Sequence, residues 1–186
     1  MSKQLKNLVF TALLSAAALA LFFLEFPLFP AAPFLKLDFS DIPALLGALL
    51  LGPGWGVLIE LIKNLLELVI KGAGSQMGFG NLMNFVVGVA FILPFSLIFR
   101  RGKKHAHALG SVTGIIAIVA VGVGMNMLVM PLYFKYFVGA EMPMSAILGV
   151  IWYATALNAI KGALLSASAL LYMPVRPALD KILKGR

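Results

Sequence analysis

The chain contains no cysteine, which excludes a disulfide framework, a thiol nucleophile and a thiolate metal site. Charge is scarce too. Asp, Glu, Lys and Arg make up 12% of the 186 residues, about half the usual share. No long polar stretch interrupts the sequence, so no soluble domain is expected within it. The only histidines, His105 and His107, lie in a basic segment and read as solvated surface residues rather than metal ligands. Short catalytic motifs are missing as well. There is no Gly-x-x-x-x-Gly-Lys-Ser/Thr phosphate loop and no His-Glu-x-x-His helix, and no Gly-x-Ser-x-Gly elbow. Direct ATP binding of that kind, zinc proteolysis and serine hydrolase chemistry are therefore not expected.

What the chain has in excess is apolar surface. Hydrophobic residues make up 61%, and the mean hydropathy is +1.00. Soluble domains are nearer half apolar. The expectation is an all-α integral membrane protein, a single membrane domain over 1–186. About six spans of roughly 20 residues fit this length. They are read at about 7–25, 42–51, 55–70, 79–99, 109–133 and 145–173. The second is too short to cross a core of roughly 30 Å as a simple helix. Lys3 and Lys6 before the first span resemble a signal peptide's start. The long apolar run, and Pro33 directly after Ala31-Ala32, favour a retained helix. Gly52-Pro53-Gly54 marks a tight turn and Gly72-Ala73-Gly74-Ser75 a flexible loop.

The net charge of +8 is distributed as a topology signal rather than as a nucleic-acid surface. Lys3 and Lys6, then Arg100, Arg101, Lys103 and Lys104, then Arg176, Lys181, Lys184 and Arg186 fall on one side of an even-numbered bundle. Together they are ten of the 15 Lys and Arg residues. By the positive-inside rule that side, with both termini, is cytoplasmic. The opposite side holds Lys36, Lys71 and Lys135, and most of the acids. The proline-bounded segment Leu37-Asp38-Phe39-Ser40-Asp41-Ile42-Pro43 lies there, a polar cap between two hydrophobic helices. No internal repeat is evident, so an inverted-repeat transporter is not supported.

Ionisable and amide side chains within spans are costly, hence informative. Glu60, Lys63, Asn64, Glu67 and Lys71 form one stripe at spacings of three and four. Two readings stand: internal ion pairing (Glu60 with Lys63, or Lys63 with Glu67), or the lining of a polar cavity or a protein contact. Asn158 and Lys161 share a helix face, Lys161 about 24 Å from the helix's outer start. At that depth its ammonium needs a carbonyl, a carboxylate or a ligand acceptor. Asn126, Asn81 and Asn84 add amides, each able to donate and accept. Trp152, Tyr133 and Tyr136 are the nearby aromatics. Interhelical glue is one reading. An apolar pocket with a few placed polar groups is the other, and the recurrence in three spans favours it. Ala12, Ala16 and Ala20 recur every four residues. Such small residues suit close helix approach, either within the bundle or to a separate membrane subunit.

Several of these stretches, in order along nearly the whole chain, resemble the substrate-binding S components of energy-coupling factor (ECF) vitamin transporters. They are Leu35–Ala44, Leu51–Gly54, Glu60–Asn64, Asn84-Phe85, Asn126 before Pro131-Leu132-Tyr133, and Asn158–Gly162. The Asp-Phe-Ser-Asp-Ile-Pro run marks the superfamily. Asn126 and the Asn-x-x-Lys-Gly element point to the riboflavin-specific branch. The resemblance implies a six-helix bundle that binds one vitamin near its outer face, with no cofactor of its own. Asn126, Asn158 and Lys161, joined by Asn84, would bond the flavin. Leu37, Asp38, Phe39 and Ser40 would cap it. The Ala12-Ala16-Ala20 face would meet a transmembrane coupling subunit, and two ATP-binding subunits would supply energy. The setting would be a prokaryotic cell membrane. An S component for another vitamin is the alternative. A structural membrane subunit without a ligand is a second. An intramembrane enzyme using Glu60 or Glu67 as base is disfavoured, because no nucleophile or metal set accompanies either.

Overall fold

The computed structural model describes residues 2–72 and 78–184. Six α-helices account for most of them: α1 (Lys3–Phe22), α2 (Asp41–Leu50), α3 (Pro53–Lys71), α4 (Phe79–Phe99), α5 (Ala106–Tyr133) and α6 (Met144–Lys184). Among the described residues, four stretches are long and apolar enough to cross a membrane: Lys3–Phe22, Phe79–Phe99, Ala106–Val138 and Met144–Leu179. α3 has the length, at 19 residues, but its stripe of charge keeps it out of that class. α2 has only ten residues, about 15 Å of helix. Of the expected loop at 72–75, residues 73–75 lie outside the described residues, as does Arg186.

Local sequence explains the breaks. Gly52 sits at φ +130° and Pro53 opens α3. A side chain is strained at the first position, and proline's fixed φ suits the first turn of a helix. Between α1 and α2 the chain makes a minimal antiparallel pair, β1 (Phe26–Pro27) with β2 (Lys36–Leu37), in register Phe26↔Leu37. Two-residue strands leave no periodic signal in a sequence, and this stretch reads as a loop rich in Pro and Phe. α5 runs on into a π-turn at Phe134–Val138. α6 continues past the expected end at Met173, through Pro174 and Pro177. The residues around these prolines are exposed, so water can satisfy the carbonyls that lose their donors. Leu179 rejoins the core and anchors the extension.

The core runs down the bundle axis through Ala44, Leu45, Ala48, Ile59, Phe91, Ile92, Phe95, Ile118, Leu165 and Ala169. Phe91, Phe95 and Phe99 stack along one face of α4, with centroids 5.3 and 5.6 Å apart. At the end of α2, Arg100 donates to the Leu49 carbonyl at 2.9 Å and to that of Ala48 at 3.4 Å. A cation there meets the negative end of the helix dipole and satisfies its unpaired carbonyls. α2 and α3 touch closely at Gly56. A Cβ there would lie 2.5 Å from the Ala48 Cβ and 2.8 Å from the Ala44 carbonyl oxygen. Gly56→Val is expected to force α2 from α3 and lower the melting temperature in detergent, at a cost of about 1–3 kcal/mol. A thermal melt that superimposes on wild type would show that contact to be looser.

Candidate functional site

The segment before α2 does not stay at the surface. Asp38, Ser40 and Asp41 are all buried. Asp38 folds back on its own backbone, Oδ1 accepting from the Ser40 amide at 2.8 Å and from the Ser40 hydroxyl. This turn, closed by the amide two residues on, is one that aspartate favours ahead of a helix. It aims the next carboxylate, Asp41 in the first turn of α2, into the bundle.

Two lysines meet these acids. From α3, Lys63 donates to Asp41 Oδ1 at 2.7 Å, to Ser40 Oγ at 2.9 Å and to Glu60. From α6, Lys161 pairs with Asp41 Oδ2 at 2.9 Å and Asp38 Oδ2 at 3.5 Å, and donates to Asn84 Oδ1 of α4 at 2.9 Å. Asp41 thus bridges both ammonium groups, one per oxygen. The stripe on α3 resolves accordingly. Lys63 takes Glu60, not Glu67. Glu67 instead accepts from Asn81 at 2.5 Å and lies 3.7 Å from Lys71. Asn64 Nδ2 donates to the Glu60 carbonyl oxygen at 2.8 Å.

Asn126 and Asn158 form a second group, between α5 and α6. Asn126 Nδ2 donates to the Gly122 carbonyl at 2.8 Å. Asn158 lies over Gly122, where a Cβ would come within 2.0 Å of its Nδ2. Both asparagines are buried. Asn84 Nδ2 and Asn126 Oδ1 are buried without a hydrogen-bond partner, one donor and one acceptor that the protein does not use. Buried groups of this kind are few in native proteins and call for an explanation. Leu37 is buried and Phe39 half-buried at the same end. A cavity of about 10 Å³ lies among Asp38, Phe39, Asp41, Ile42, Lys161, Leu164 and Leu165.

The aromatic expectation needs correction in part. Trp152 is 77% and Tyr136 69% exposed, whereas Tyr133 is half-buried and packs edge-on against Phe79 at 6.0 Å. Nine residues separate Trp152 from Lys161, which puts them on opposite faces of α6 at 3.6 residues per turn. The rings that approach the entrance are others: Phe26 against Phe39 at 6.4 Å and Phe29 against Tyr153 at 5.2 Å. Sequence reasoning also left Asp41 and Lys63 out of the site. Their depth was signalled only by Asp41 following Ser40 at a helix start and by Lys63 lying mid-stripe. Ala12, Ala16 and Ala20 face outward, while Thr11, Ser15, Ala18 and Phe22 point into the bundle. Packing within the bundle therefore does not account for the alanine spacing.

A latch holds the entrance segment from outside. Glu25 Oε1 accepts from Lys36 of β2 and from Lys71 at the end of α3, both at 2.8 Å. Lys71 also sits 4.2 Å over the Phe22 ring. Partial burial works against charge on Glu25, but the two ammonium groups prevail and hold its carboxyl below the usual range. A carboxylate whose pKa is depressed by folding contributes stability above its unfolded pKa and loses it as pH falls through the folded one. Glu25→Gln is expected to speed hydrogen exchange over residues 26–37 at neutral pH. Acidification should bring wild type toward the variant. Equal exchange at neutral pH would remove the latch.

Residues 6–175 match the family model described as ECF transporter, substrate-specific component. The chain belongs to that family of transporter components. Among individual relatives, the riboflavin transporter FmnP of Bacillus subtilis is 31% identical over 183 residues, covering 96% of each chain. The riboflavin transporter RibU of Streptococcus thermophilus is 32% identical, over 95% of this chain and 86% of that one. A solved chain described as the S component of a bacterial ECF transporter superposes with a TM-score of 0.74 at 28% identity. It covers 95% of this chain and 99% of its own.

Proposed function

We propose that this protein is the riboflavin-binding subunit of an ECF transporter, a single domain that captures the vitamin outside a prokaryotic cell and delivers it inward. The observation that carries this reading is the convergence of Lys161, Asn84 and Asp38, with the unused polar atoms of Asn84 and Asn126. A flavin offers a broad apolar ring with a uracil-like edge of alternating donors and acceptors. Amides match such an edge because each presents both. Of the three contacts made by Lys161, the 3.5 Å approach to Asp38 is the longest. It is the one a ligand acceptor would replace. Asn158, one turn from Lys161, completes the set with Asn126. Leu37, Asp38, Phe39 and Ser40 close over the ligand. Family membership and relatives named as riboflavin transporters support the choice of vitamin.

The fit requires movement. Ligand pockets run to about 300–1,000 Å³, far above the cavity beside Lys161. The element that shifts is the segment between α1 and α2, and opening would release the Glu25 latch, the two-residue ladder and the contacts of Asp38 and Ser40 with Lys161 and Lys63. In the membrane all six helices form the spanning bundle, both termini cytoplasmic, with Arg100–Lys104 inside and the Glu25–Lys71 end outside. The outward face of Ala12, Ala16 and Ala20 docks a transmembrane coupling subunit. ATP hydrolysis belongs to two further subunits, and this chain catalyses nothing itself.

Purified protein is expected to quench flavin fluorescence on titration with riboflavin. Lys161→Ala should weaken binding at least tenfold, about 1.4 kcal/mol, because it removes a charged donor and strands buried acceptors. Lys103→Ala should leave affinity unchanged. Equal affinities of both variants would take Lys161 out of the site, and no response to riboflavin in stripped wild type would turn the search to other vitamins. Ala16→Leu should keep riboflavin binding yet fail to co-purify with the coupling subunit. Retained co-purification would place docking elsewhere.

A further inference from the structure

The polar centre of the bundle does not balance its charge. Asp38, Asp41 and Glu60 contribute three carboxylates, against the two ammonium groups of Lys63 and Lys161. The neighbouring outer set cannot make up the difference, since Glu25 and Glu67 are matched by Lys36 and Lys71. The other helices bring no charge to this level. α4 and α5 contain no Asp, Glu, Lys or Arg. Lys3 and Lys6 of α1, and Arg176 and Lys181 of α6, lie toward the opposite end of the bundle. An uncompensated charge in so apolar a setting is strongly unfavourable.

Glu60 is where the imbalance falls. Its side chain is wholly buried. Oε1 accepts from Lys63 and, at 3.2 Å, from Asn64 Nδ2, whereas Oε2 has no hydrogen-bond partner. Asp41 has a lysine within ion-pairing distance of each oxygen, and Asp38 uses its two on Ser40 and Lys161, so Glu60 Oε2 is the carboxylate oxygen of the cluster with neither a hydrogen bond nor a lysine pair. Among the described residues no group of three or more His, Cys, Asp or Glu side chains could hold a metal ion. α4 packs close to Glu60 at Gly88, where a Cβ would lie 2.7 Å from Oε1 and 3.3 Å from Asp41 Oδ2. The small cavity nearby is lined by Asp38, Asp41 and Lys161 but not by Glu60. A proton needs no such space.

We propose that the cluster binds one proton, lodged on Glu60, so that Glu60 is a neutral carboxylic acid inside the bundle. The proton comes from solvent as the chain folds, and it turns the unpartnered Oε2 from an acceptor into a hydroxyl. Three acids and two bases then sum to zero. The assignment does not depend on which ligand the outer end takes.

Infrared spectroscopy of the detergent-purified protein at neutral pH tests it. Wild type should show the carbonyl stretch of a protonated carboxylic acid. Glu60→Gln, which copies the neutral acid in shape, should lose that band and melt with wild type. Asp41→Asn removes one carboxylate and leaves two acids against two bases, so Glu60 should ionise and the band should again be lost. Absence of the band from wild type, which needs no variant to fold, would overturn the proposal. So would its survival in Glu60→Gln or in Asp41→Asn.

Discussion

Two ammonium groups in the middle of an apolar bundle set the terms for everything around them. Lys63 and Lys161 are buried among apolar side chains, and ions so placed are tolerated only with partners. Asp38 and Ser40 of the segment that precedes α2, and Asp41 in the first turn of that helix, are among those partners, so the segment has to enter the bundle. Entry is possible because Asp38 first satisfies its own turn, and because irregular backbone at membrane depth is stable when protein surrounds it. The ten-residue α2 follows from this. Part of the distance a longer helix would cover is taken by extended chain carrying Leu37, Asp38 and Ser40 inward.

The same pairing links four elements that apolar packing alone would leave free to slide. Asp41 holds α3 with one oxygen and α6 with the other. Asn84 adds α4 through Lys161. Hydrophobic contacts between helices discriminate weakly in lipid, where tails are as apolar as leucine, whereas polar groups fix register. The close approaches at Gly56 and Gly122 show a register held tightly enough for backbone to meet side chain. A site built on such a frame keeps its amides in place, while the segment that covers it remains held by few contacts.

Much of this was legible in the sequence, for identifiable reasons. Hydropathy and length gave the helices, and family motifs gave the class. The spacing of Asn158 and Lys161 put both on one face of a helix, and both are buried on α6. The depth of Asp38 and Asp41 was not legible. A polar run between two apolar helices reads as an exposed cap, and only tertiary pairing with lysines far along the chain reverses that. Trp152 lies outside the site for a simpler reason: the helical period puts it on the face of α6 opposite Lys161. The length of α6 escaped because prolines ordinarily end helices, and the anchoring of Leu179 is not a sequence signal.

The capping of α2 by Arg100 has a mechanical consequence. One end of this short helix is gripped by lysines through Asp41, the other by a guanidinium from α4. Clamped at both ends, α2 is held against α3, α4 and α6 alike. The helix start that carries Asp41 is thus steadied from its far side as well, by a side chain that does not line the site.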